Sequence, residues 1–171
     1  MPKPRVLLDT CVIIEAFRTK CWKALCAHFD VETVDCCVTE CASGSAYGAG
    51  RVSVPRKDLH AGLAKVHNVD ALMLAALALE CPDLPALDDG ELHIMAWLHA
   101  NPHAAVVTAI STADRAAIRA THVMDLLERV RSLQDLARQA GVDKKQLSEL
   151  KAHFGDDWLS EARMKLEMKL M

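Results

Sequence analysis

The sequence predicts an α/β fold, a central, mostly parallel sheet of four or five strands between two layers of flanking helices. Three observations predict it. Short apolar runs alternate along the chain with segments whose apolar residues recur at helical spacing, the pattern of parallel strands joined by helical crossovers. Val6-Leu7-Leu8 is apolar at successive positions, which marks a strand buried on both faces. Ala and Leu fill most apolar positions and aromatics make up only 4% of the chain, a composition that suits helices packed on a small sheet.

In chain order, Arg5 to Leu8 reads as the first strand, and Asp9 or Thr10 caps a helix over Thr10 to Phe17. Lys20 to His28 is a second helix. Val31 to Val34, rich in β-branched residues, is a strand, and Cys36 to Ala42 is the next helix. Ser43 to Gly50, with three glycines, reads as a flexible loop. Arg51 to Val54 alternates and reads as a short strand. Leu63 to Val69 fits a short strand or a turn. Asp70 to Glu80 is a helix stopped by Cys81-Pro82, and Glu91 to Ala100 a helix opened by Asp88-Asp89-Gly90. Ala104 to Ile110 reads as the second strong buried strand, followed by a helix from Arg115 to about Leu127. Arg129 to Leu133 reads as an edge strand and Gln134 to Ala140 as a helix closed by Gly141. Asp143 to His153 and Trp158 to about Leu170 read as two terminal helices.

The 171 residues divide as a domain over 1–140 and a helical extension over 141–171, packed on the domain or on a partner subunit. The formal net charge of −3 leaves no basic footprint of the kind a dedicated nucleic-acid binder carries. It does not exclude an enzyme that brings cations to an acidic pocket, because the cation supplies the positive charge. The seven cysteines sit mostly within apolar segments and none is spaced Cys-x-x-Cys, so reduced core thiols are expected. A zinc site from Cys36, Cys37, Cys41 and His28 is the weaker reading, since the usual ligand spacings are absent. Asp9 interrupts the first apolar run too early for a signal peptide, and Ala71 to Leu79 is too short to span a bilayer. A soluble cytoplasmic protein without membrane partners is expected.

Four carboxylates fall at comparable places. Asp9 ends a strand, Glu40 lies on the helix after a strand, Glu91 opens a helix after Gly90, and Asp114 opens the helix after the Ala104 to Ile110 run. Taken alone, each has a plain structural reading. Asp9 and Asp114 suit helix caps, Glu40 an exposed helix face, and Asp88 and Asp89 the N-terminal dipole of the next helix. Together they converge on the carboxyl edge of a parallel sheet, where ligands bind in open α/β folds. Clustered acids repel and raise one another's pKa values unless a cation sits among them, and an oxygen-only acidic site suits Mg²⁺ or Mn²⁺.

Val6-Leu7-Leu8-Asp9-Thr10-Cys11-Val12-Ile13 resembles the opening motif of PIN domains, the nuclease family that includes VapC-type toxins. Leu87-Asp88-Asp89-Gly90-Glu91-Leu92-His93-Ile94-Met95-Ala96 resembles the family's third motif in its Gly-Glu form. Val106 through Ala117 resembles the fourth, an apolar strand leading to Thr112-Ala113-Asp114-Arg115-Ala116-Ala117. Glu40 fits the second in order and context. The resemblance covers residues from about 5 to about 140. It implies a PIN-like three-layer sandwich and a metal-dependent endoribonuclease site formed by Asp9, Glu40, Glu91 and Asp114. Thr10, Thr112 or Ser111, and Arg115 would support it, and the cofactor would be Mg²⁺ or Mn²⁺. It also implies an RNA substrate, a small antitoxin-like masking partner in the toxin case, and a homodimer. The sequence departs from the motifs where Ala113 stands in place of an aspartate, where Cys11 replaces Asn or Ser, and where His93 and His99 lie on the third-motif helix.

Two other classes fit less of the sequence. A PIN-fold interaction module that has lost catalysis matches the missing acid at Ala113 and the negative net charge, but not four retained, mutually repelling carboxylates. A phosphatase-like α/β enzyme would need a second aspartate where Cys11 stands.

Overall fold

A computed structural model describes residues 2–43 and 52–170. It is an α/β fold with a four-stranded, all-parallel sheet in the order β3-β2-β1-β4 and helices on both faces. β1 (Arg5–Leu8) runs into α1 (Thr10–Arg18), and α2 (Trp22–His28) follows. β2 (Asp30–Val34) leads to α3 (Asp35–Ser43). Next come α4 (Arg56–Gly62), the edge strand β3 (Lys65–His67), α5 (Ala71–Glu80), α6 (Asp89–Ala100) and the single turn α7 (Pro102–Ala105). β4 (Ala109–Ser111) returns to the sheet beside β1 and gives way to α8 (Arg115–Val123). α9 (Leu133–Gln139), α10 (Lys144–Ser148) and α11 (Asp156–Glu167) complete the chain.

β1 lies in the middle of the sheet because its side chains are apolar on both faces. Val6 and Leu8 point to a core with Val12, Ile13 and Ala16 of α1, Leu25 of α2, and Leu133 and Leu136 of α9. Leu7 points the opposite way, to Ile94 and Met95 of α6, Leu77 of α5 and Ala117 of α8. Each fully buried Leu, Ile or Val contributes about 1.5–3 kcal/mol relative to an exposed one. α6 is buried nearly all round, from Ile94 through Leu98, because the sheet lies under it and α5 over it. α11 covers the far side of α8, where Leu159, Ala162 and Leu166 meet Ile118 and Val130.

One ionic network crosses the second core. Glu32 of β2 accepts from Arg5 Nε at 2.7 Å and Nη2 at 2.8 Å, and lies 2.7 Å from His67 Nε2. The His67 ring stacks on Trp97 at 3.9 Å. Burial works hardest against the Glu32 charge, yet Arg5 and His67 outweigh it and hold the carboxyl at about 2.

Several elements differ from their sequence expectation. Val52 to Val54 forms no strand, and α4 follows directly; the expected loop over 44–50 and Arg51 lie outside the described residues. The strand expected over Ala104 to Ile110 begins only at Ala109. Pro102 starts a helical turn instead, and Val106 and Val107 stay 49% and 63% exposed, so apolar character there does not report burial in the sheet. α8 ends at Val123, with Asp125 in the left-handed region at φ 57. The expected edge strand at 129–133 is a single bridge from Val130 to Ile110, because Ser132 turns away to cap α9. The helix expected over 143–153 breaks after Ser148. There the Glu149 carbonyl accepts from Arg18 Nη2 at 2.5 Å and the Lys151 amide donates to Glu15 Oε1 at 2.9 Å, so α1 takes backbone groups the helix would need.

Among the described residues no helix is long and apolar enough to cross a membrane. All seven cysteines are unpaired.

Candidate functional site

Parallel strands bring the ends of β1, β2 and β4 to one edge of the sheet, and an open cleft of about 560 Å³ lies there. Asp9, Thr10, Cys11 and Ile14 line it from the start of α1, Glu40 from α3, and Leu87 through Glu91 from the entry to α6.

Asp9 caps α1 by accepting from the Thr10 amide at 2.7 Å, so the plain reading of this residue holds. It is also 3% exposed and takes further donors: Thr112 Oγ1 at 3.0 Å, and the thiols of Cys11 at 3.3 Å and Cys37 at 4.0 Å. Burial raises the Asp9 pKa, and the charge of Glu40 adds to the rise against the pull of these donors. Burial likewise pushes both thiols up, with Asp9 next in effect, so they stay protonated and donate.

Glu40 reaches across the cleft. Its Oε2 accepts from the Thr10 hydroxyl, and its Oε1 accepts from the Gly90 amide at 3.0 Å with Cys36 Sγ at 3.8 Å. Gly90 is buried against this carboxylate. A Cβ there would lie 2.6 Å from Glu40 Oε2, so that the carboxylate would have to shift, and a tight 3.1 Å from Cys37 Sγ.

Glu91, 8% exposed, completes a capping box by accepting from the Asp88 amide at 3.3 Å. Its pKa is pushed up to about 8, chiefly by burial, then by the charges of Asp9 and Asp114. Asp114 does not line the cleft. Its Oδ1 caps α8 by accepting from Ala116 N at 2.6 Å and Ala117 N at 3.1 Å, yet it is near enough for Glu91 to feel its charge.

The structure therefore brings Asp9, Thr10, Glu40 and Glu91 to one cleft, with Thr112 behind Asp9 and Asp114 at the flank. Of the two candidate hydroxyls, Thr112 reaches Asp9, whereas Ser111 Oγ is buried on the other side of β4 with no partner among the described residues. Arg115 is exposed and outside the cleft. His93 approaches Asp35 at 3.6 Å at the α3–α6 contact. His28, exposed at the end of α2, is not grouped with Cys36, Cys37 and Cys41, so that zinc set does not assemble. Sequence reasoning missed the two thiol donors to Asp9; their one signal was that Cys11 and Cys37 each lie three residues beyond a strand's carboxyl end.

No known protein family, curated protein or solved structure matches the chain. The likeness to PIN domains accordingly stands on its motifs alone.

The donor set admits a hard divalent cation with most of its waters. Among the described residues no three His, Cys, Asp or Glu side chains close round a single point. Mg²⁺ characteristically takes only one or two protein carboxylates and keeps water and substrate phosphate as its remaining ligands. Asp9 and Glu91 offer two buried carboxyls at the cleft, and burial, then the charges of Asp9 and Asp114, push Glu91 up to about 8.

Proposed function

We propose that this protein is a metal-dependent ribonuclease of PIN type, hydrolysing RNA phosphodiesters in the cleft between α1, α3 and α6. One observation carries the reading: a buried aspartate and a buried glutamate at the carboxyl edge of a parallel sheet, with Glu91 raised to about 8 by burial and by Asp9 and Asp114. Asp9 and Glu91 would hold the cation, with Asp114 adding charge from the flank. Bound there, Mg²⁺ or Mn²⁺ supplies Lewis acidity toward a phosphoryl oxygen and an activated water. The chain's own residues do the rest. Thr112 and the Thr10 amide would fix the Asp9 carboxylate, and the Cys11 and Cys37 thiols, weak donors at 3.3 and 4.0 Å, would yield their acceptor sites to the cation. Glu91, pushed up to about 8, would hold a proton at neutral pH and would have to release it to act as a ligand. The negative net charge fits an enzyme whose phosphate affinity comes from bound cations. A cytoplasmic setting, a masking partner protein and a homodimer belong to the same proposal.

A second reading is a catalytically silent interaction module. Its support is that Asp9 and Glu40 already have internal donors on both oxygens. Cleavage of labelled RNAs with Mg²⁺ or Mn²⁺ and with chelator, beside Asp9→Asn, separates the two. Metal-dependent cutting lost in the variant supports the nuclease. No cutting and no metal-induced rise in melting temperature supports the module.

A further inference from the structure

We infer that Glu40 is a positioning residue, a clamp that sets Asp9 opposite Glu91, and that it is not a ligand of the cation. The inference rests on the nuclease reading, since it assigns a role within that same cleft. Glu40 joins the immediate chain neighbours of the two acids: Thr10, which follows Asp9, and Gly90, which precedes Glu91. Its two oxygens are divided between them. Thr10 opens α1 and Gly90 lies in the first turn of α6, so the carboxylate also faces two helix N-termini. Their exposed amides and dipoles favour a fixed negative charge.

Gly90 shows how close this approach is. With a Cβ 2.6 Å from Glu40 Oε2, any residue but glycine would drive the carboxylate away. The glycine before Glu91 is thus explained by the clamp, without a special backbone angle. Using Glu40 as a ligand would draw an oxygen off Thr10 or Gly90 and leave a half-buried donor unpaired, at the cost of a lost hydrogen bond to a charged group. Asp9 would give up between helices only the weak thiol contact from Cys37 at 4.0 Å, and Glu91 only a contact within the cap of its own helix.

Three variants test the clamp: Glu40→Gln, Glu40→Ala and Gly90→Ala. Glutamine can keep both links, its carbonyl accepting from the Gly90 amide and its NH₂ donating to the Thr10 hydroxyl, while the charge is gone. The readouts are hydrogen exchange at the Gly90 amide and Mn²⁺ affinity measured by electron paramagnetic resonance. A clamp predicts Glu40→Gln close to wild type in both. Glu40→Ala and Gly90→Ala should lose Gly90 protection and at least about 10-fold in Mn²⁺ affinity, the usual cost of removing a residue that orients a ligand. Glu40→Gln with intact Gly90 protection but Mn²⁺ affinity as poor as Glu40→Ala would overturn the proposal and make Glu40 a ligand. Wild-type protein that binds no Mn²⁺ would end the nuclease reading instead. The clamp is then decided by exchange alone: Gly90 protection lost in Glu40→Ala and kept in Glu40→Gln supports it, and equal protection in all forms refutes it.

Discussion

Thr112 donates its hydroxyl to Asp9 Oδ2 at 3.0 Å and accepts from the Asp114 amide at 3.3 Å, so one side chain ties the acid after β1 to the turn after β4. Thr112→Val keeps the shape and removes the donor. It should destabilise the fold by about 1–3 kcal/mol, the range for leaving a buried polar group without its partner. Thr112→Ser should recover most of that. Urea unfolding of the three proteins at one pH checks it.

The pH dependence of stability follows from Glu91. Folded, it keeps its proton to about pH 8; unfolded, it loses it near 4.5. Between those values the native state binds more protons than the unfolded state, so stability falls as pH rises through this window and this group adds nothing further above it. Asp9, also raised by burial, acts with the same sign. Glu91→Gln should flatten the melting-temperature profile and exceed wild type above about pH 8. Parallel profiles would contradict the assignment.

Cation binding should draw on the same proton. Mn²⁺ affinity is expected to rise by up to about tenfold per pH unit below the Glu91 pKa of about 8 and to level off above it. Calorimetry in buffers of different ionisation enthalpy gives the proton count directly, with about one released near neutral pH and fewer at alkaline pH.

Glu32, held between Arg5 and His67, acts with the opposite sign. Glu32 sits at about 2 in the fold, so its contribution is present above its unfolded value of 4.5 and is lost as pH falls toward 2. Glu32→Ala leaves a buried His67 and a one-third exposed Arg5 without their acceptor, and should cost about 3 kcal/mol at pH 7. The penalty should shrink in acid, which equilibrium unfolding at both pH values would show.

α5 offers an internal control. Leu77 is 1% exposed in the core and Leu79, two residues on, is 82% exposed. Leu77→Ala should cost about 2–5 kcal/mol. Leu79→Ala should change stability by less than about 0.5 kcal/mol.

What the sequence made legible was whatever local pattern decides. Val6-Leu7-Leu8 reads as a strand buried on both faces, which puts Asp9 at the carboxyl edge of the sheet, and the fold has both there. The β4 run misled because Val106 and Val107 are apolar without being buried, while Pro102 had already committed the chain to a turn. The break in the 143–153 helix was invisible because its cause, Glu15 and Arg18 on α1, lies far away in sequence. Neither Ser111 nor Thr112 could be preferred in advance, since a strand buried on both faces carries no phase that says which neighbour faces the site. The Cys37 thiol donor and the Glu40–Gly90 approach belong to the same class: they are contacts between helices, set by the third dimension.

The strand order carries a further consequence, in time instead of space. β1 finds β2 soon after it is made, but its other neighbour, β4, closes beside it through residues such as Thr112, 103 positions after Asp9. At about 5–20 residues per second of synthesis, that is an interval of roughly 5–20 seconds. A nascent chain therefore carries Asp9 long before it has a cleft, and the proposed chemistry stays latent until the last strand arrives.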